Sequence, residues 1–114
     1  MTTQQVTTRT VTVDDLRAVV RIAIERHPTQ RARIEKGATI VLLRSITPDP
    51  EYAYCFSVES ESEPGNFYSV DASVWVCSCP DHQRRGVICG HQWSVRLLEA
   101  LARLHSRQTA PVAA

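Results

Sequence analysis

Residues 77–91 read CSCPDHQRRGVICGH and hold three of the chain's four cysteines and two of its four histidines, His82 and His91. The spacing is Cys-x-Cys, nine residues, then Cys-x-His. On a strand, side chains two apart share a face, so Cys77 and Cys79 present two sulfurs together before Pro80 ends the strand. In a helix, residues two apart point to different sides. Cys89 is therefore predicted in the loop, with His91 in or near the first turn of a following helix, and Gly90 freeing the backbone to make the corner. Nine residues suffice to fold the halves onto one point. Three thiolates and one imidazole converging there form a tetrahedral set that fits Zn2+, and four protein donors leave no position for water or substrate. Such a site is structural rather than catalytic. Iron competes for the same thiolates during expression.

Outward from this cluster the pattern is strand before and helix after. Trp93, Leu97, Leu101 and Leu104, with Leu98 beside them, make one apolar helical stripe, and Arg96, Arg103 and Arg107 share another face. Upstream, Tyr52, Tyr54, Phe56 and Val58 alternate as a strand does, with Cys55 on the other face. Glu63-Pro64-Gly65-Asn66 fits a type II turn. Phe67 to Asp71 reads as the returning strand and Val74 to Cys79 as a third, giving a short antiparallel meander. Before it, Thr12-Val13-Asp14-Asp15 has capping-box form and opens a helix that ends near Arg26, since Pro28 disfavours helix at His27. Pro28 then opens a second helix carrying Ile34, Ala38, Val41 and Leu42 to about Arg44. Gly37 and the β-branched Thr39, Ile40 and Val41 keep a strand over 39–46 as the alternative. The expected class is α+β: two N-terminal helices, a β-meander, the metal loop and a C-terminal helix.

At 114 residues the chain is one domain's worth. No stretch approaches the roughly 18 apolar residues of a membrane helix. The opening MTTQQVTTRT lacks an apolar signal core, which predicts a cytoplasmic protein, where clustered cysteines serve as metal ligands or redox groups more than as disulfides. Charge is uneven. Residues 47–74 carry six acids and no Arg or Lys, between two mildly basic ends, and the net charge is +1. The alternating Glu59, Glu61 and Glu63 read as solvated surface.

The quartet, the CSCPD opening, the Arg-Gly near the loop end, Tyr68-Ser69-Val70 and the apolar helix after His91 together resemble the SWIM-type zinc finger, whose pattern is Cys-x-Cys, a variable gap, then Cys-x-His. The RIEKG and SESEPG runs resemble small prokaryotic or phage-type members. The resemblance covers roughly residues 31–104 and is strongest over 68–98. It implies a ββα-like zinc module at 51–107 with Cys77, Cys79, Cys89 and His91 as ligands. A helical segment, 12–50, then packs on the module, between flexible tails at 1–11 and 108–114. It further implies a binding module for DNA or for other proteins. The chain departs from the family at Gly90, where a Lys is frequent, so one basic group near the site is missing.

Arg84 and Arg85, at the tip of the metal loop, are the expected nucleic-acid contacts, continued by Arg96 and Arg103. His82 reads as a solvated loop residue, His27 and His105 as surface or cap residues, and Cys55 as a small buried group. Trp93 reads as core, and Trp75 as core or a lid over the cluster. No Ser/His/Asp set, phosphate loop, carboxylate pair or small-molecule substrate site is visible. The expected function is therefore non-enzymatic: a zinc-binding accessory or regulatory protein on DNA. The first alternative is a protein–protein adaptor using the acidic 59–63 segment or the helix face, with a purely structural zinc. The second is a thiol redox protein built on Cys77 and Cys79.

Overall fold

The computed structural model describes residues 12–109, with side chains to Ser106. The tails expected at 1–11 and 108–114 lie outside it, except that Gln108 and Thr109 continue the last helix. Helix α1 spans Val13–Arg26 and opens with the expected capping box. Thr12 Oγ1 accepts from Asp15 N at 3.1 Å, and Asp15 Oδ2 accepts from Thr12 N at 3.2 Å. A single 3-10 turn, Pro28–Gln30, leads into α2, Arg31–Leu43. Helix wins over strand across 39–43 because Ile34, Gly37 and Ile40, at spacing three, all face inward and are buried.

The sheet is antiparallel with order β1-β2-β3-β4: Ile46–Pro48, Cys55–Glu59, Phe67–Asp71 and Val76–Cys77. β1, which the sequence pattern did not announce, pairs Ile46 with Val58, and its proline sits on an edge strand where no ladder donor is missed. Arg44 fixes the entry to it by donating to the carbonyls of Ser60 at 3.1 Å and Glu61 at 3.0 Å. The turn at 63–66 closes with Asn66 N donating to Glu63 O at 3.0 Å.

Two strand expectations are corrected. β2 starts at Cys55, not Tyr52, because Asp49 Oδ1 accepts from the N–H of Glu51 and of Tyr52 and curls the chain, leaving Tyr52 and Tyr54 exposed. The strand expected over 74–79 pairs only at Val76 and Cys77. Trp75 takes a left-handed φ of 55°, and Cys79 leaves the ladder to cap a short helix, α3, Pro80–Arg85. The last helix, α4, runs Gly90–Thr109.

α4 lies between two apolar layers. One face packs Val95 with Ile40, Val58, Val70 and the three clustered cysteines. The other packs Leu97 and Leu101 against Leu16 and Val19 of α1. Trp93 is buried, as expected, whereas Leu98 is exposed. α2 approaches α4 closely at Gly37, where an added Cβ would lie 2.8 Å from Ser94 N and from Trp93 Cβ. The glycine that weakens α2 locally is what lets the two helices touch.

Candidate metal centre

Cys77 ends β4, Cys79 caps α3, and Cys89 and His91 sit at the start of α4. Period-two alternation persists through Cys79 although the strand does not. Ser78 N donates to Ser69 O at 3.0 Å and Ser78 Oγ accepts from Ser69 N at 3.0 Å, so Ser78 faces β3 and solvent while both cysteines turn inward. All four residues are buried, and one donor atom from each lies within 4.8 Å of the others. Cys89 Sγ and His91 Nδ1 are 3.8 Å apart. Zinc bonds of about 2.3 Å to sulfur and about 2.0–2.1 Å to nitrogen, at the tetrahedral angle, predict an edge of roughly 3.6 Å. The donor set and its spacing therefore suit one tetrahedral metal ion. His91 Nε2 is buried and has no hydrogen-bond partner among the described residues, and the Tyr68 ring packs on the imidazole at 4.8 Å between centroids.

The thiols do not share protons evenly. Hydrogen bonds from Cys77 and Cys89 favour the thiolate at Cys79 and draw its pKa down, and the His82 N–H adds to this at 3.4 Å from Cys79 Sγ. Cys77, donating to Cys79 and buried, is raised. At Cys89 the hydrogen bond from Cys77 favours the thiolate, but the one made to Cys79 and burial prevail, leaving it at about 11. All three sulfurs must be thiolates to ligate a cation, so metal binding at this cluster releases protons.

Three supports were not foreseen. Gln92, fully buried, accepts from Cys89 N at 2.8 Å and donates to the Trp75 carbonyl, bracing both halves of the cluster. Its place three residues after Cys89 is that of the Gln in a capping box, a signal present in the sequence. Arg33 of α2 grips Asp81 of α3 through two hydrogen bonds, 2.9 and 3.1 Å, and this guanidinium holds the Asp81 carboxyl below its usual range. Gln83 Nε2 donates to Cys77 O at 2.8 Å across α3.

Gly90 does not act as expected. It lies within the helix, and its missing Cβ makes room for Lys36, whose Cδ and Cγ would be 2.8 and 2.9 Å from an added Cβ. The stem of Lys36 on α2 thus packs where a side chain at position 90 would stand.

Arg84 and Arg85 are exposed on α3, a helix rather than an open loop, and Arg85 Nε approaches Asp81 at 3.5 Å. Arg103 is exposed. Arg96 departs from the expected basic stripe: its guanidinium lies 4.2 Å above the Trp75 ring and 5.5 Å from that of Trp93. Arg107's side chain lies outside the described residues. His82 stays out of the cluster and donates from Nδ1 to Val87 O at 2.8 Å. His27 caps α1 with its ring edge on Trp93. Cys55 is half-buried rather than fully buried, opposite Asp71, and all four cysteines are free thiols. Among the described residues no helix is long and apolar enough to cross a membrane. Comparison with family models, curated proteins and solved structures finds no match to this chain.

Proposed function

We propose that the chain is a SWIM-type zinc-binding module in which Cys77, Cys79, Cys89 and His91 hold one structural Zn2+, and that it presents Arg84 and Arg85 to DNA as a non-enzymatic accessory or regulatory protein. One observation carries the reading: the four buried donors flank α3, two on each side, inside a core shared by the sheet and α4. Bound there, the ion supplies shape, fixing α3 against β4 and α4. The side chains do the rest. Asp81 is committed to Arg33, so the outward cations of α3 are positioned by an ion pair as well as by the cluster.

Burial of all three thiols weighs against the redox reading, since thiol exchange needs a thiolate that a partner can reach. The adaptor reading draws support from Leu42 and Leu43, adjacent and exposed at the end of α2. Two measurements separate these. Metal analysis should find one zinc per chain, lost with folded structure in Cys79→Ser and His91→Ala; a metal-free protein that stays fully folded overturns the zinc reading. Gel shifts across a salt series should show binding that weakens with salt. The slope should be shallower in Arg84→Ala/Arg85→Ala, by about 0.9 for each phosphate that is no longer neutralised. No binding to DNA at low salt overturns the DNA reading and leaves the adaptor.

A further inference from the structure

We propose that the cleft between α1 and α4 is a binding site for a small organic anion, a carboxylate on an apolar stem, with Arg96 as its charged anchor. The site is separate from the metal centre and from the exposed arginines of α3. Its volume is about 390 Å³, within the roughly 300–1,000 Å³ of small-molecule pockets. Trp75 and Trp93 both line it, and Val19 and Leu97 contribute apolar floor. The charged groups are one-sided: Arg26, Arg96 and Arg103 line the cleft with Glu99 as the one acid, and His27 beside them.

Arg96 is the informative residue. Its guanidinium is held against two indoles. Its Nε is buried and has no acceptor among the described residues, and no carboxylate there forms an ion pair with it within 4 Å. Burial lowers its pKa, with Glu99 giving the only opposing pull. Contact with aromatic faces offsets part of a cation's desolvation. It supplies no acceptor for an N–H and no counter-charge for the cation. An anion entering the cleft would pair with the guanidinium that lines it, and Arg26 and Arg103, which form no ion pair among the described residues, stand on the same walls to meet it. The indoles and Val19 would cover its apolar stem.

The chain's only two tryptophans both line this cleft, so intrinsic fluorescence reports it directly. Titrating the folded, zinc-loaded protein with 3-phenylpropionate should give a saturable change. The neutral 3-phenylpropanol should bind at least about tenfold more weakly, the loss expected when a charged partner is removed. Inorganic phosphate alone, lacking the stem, should bind more weakly than the carboxylate. Arg103→Gln and Arg26→Gln, both exposed substitutions, should keep the circular dichroism of the parent and weaken binding by about three- to tenfold each. Arg96→Met, which keeps the packing against the indoles, should abolish it. Three results overturn the proposal: no saturable change up to about 10 mM, equal binding of acid and alcohol, or unchanged affinity in folded Arg26→Gln and Arg103→Gln proteins.

Discussion

Replacing Gly37 by Ala sets two effects of known size against each other. Alanine is the better helix former by about 1 kcal/mol, so on propensity alone the variant should be more stable. The added methyl would lie 2.8 Å from Ser94 N, 2.8 Å from Trp93 Cβ and 3.0 Å from Trp93 C. Carbon atoms rest at about 3.5–4.0 Å, so the overlap approaches 1 Å. These neighbours are backbone and a Cβ, which have no rotamer by which to move aside. α2 must therefore withdraw from α4, and with neighbours that cannot yield the overpacking loss lies in the upper part of the usual range, about 2–3 kcal/mol. The packing term prevails, for a net loss of about 1–2 kcal/mol. At roughly 4–8 °C per kcal/mol for a domain this small, Tm should fall by about 4–16 °C. The assay is thermal or urea unfolding at fixed excess zinc, with Ala32→Gly on the exposed side of α2 as the propensity control, expected to lose about 1 kcal/mol. A Gly37→Ala protein as stable as the parent, or more so, refutes the close approach of these helices.

Gln92→Leu leaves Cys89 N–H and the Trp75 carbonyl without their partner inside the core, and should cost about 2–4 kcal/mol in urea unfolding and weaken zinc retention in a chelator competition. Thr12→Ala removes the α1 cap and should lower stability by about 1 kcal/mol without altering zinc content. The Arg33–Asp81 pair, partly exposed on both sides, should show a coupling of about 0.5–1 kcal/mol in a double-mutant cycle. Its pH sign is fixed by the lowered Asp81 pKa. The contribution is whole above the ordinary Asp value, near pH 4, and is lost as pH falls through the lower folded value. Coupling that grows as pH falls below about 4 contradicts that assignment.

Much of the fold was legible because it rests on local rules. The Thr12–Asp15 capping box, the stop before Pro28, the turn at 63–66 and the strand Phe67–Asp71 each follow from residues within a few positions of one another. The convergence of the Cys/His quartet was legible for the same reason, since Cys77 and Cys79 needed only strand alternation to share a side. β1 was not legible, because a three-residue edge strand is defined by its pairing to Val58 and Phe56 and not by its own pattern. Tyr52 and Tyr54 alternate as strand residues do, but Asp49 captures the backbone there first. Arg96 shares a helical periodicity with Arg103, and nothing along the chain places Trp75 over one and not the other.

By itself, then, the sequence determined the order of the longer elements and the four candidate donors, since period, cap and turn act over distances that a linear reading spans. Only the tertiary structure decided what surrounds them. Gly37 is a contact and not a weakness, Gly90 is a seat for Lys36 and not a hinge, and Arg96 is held by indoles and not by solvent. Each of these depends on which distant segment arrives next to a residue, and that is settled by packing α4 between the sheet and α1, where close contact between elements outweighs the preferences of any one of them.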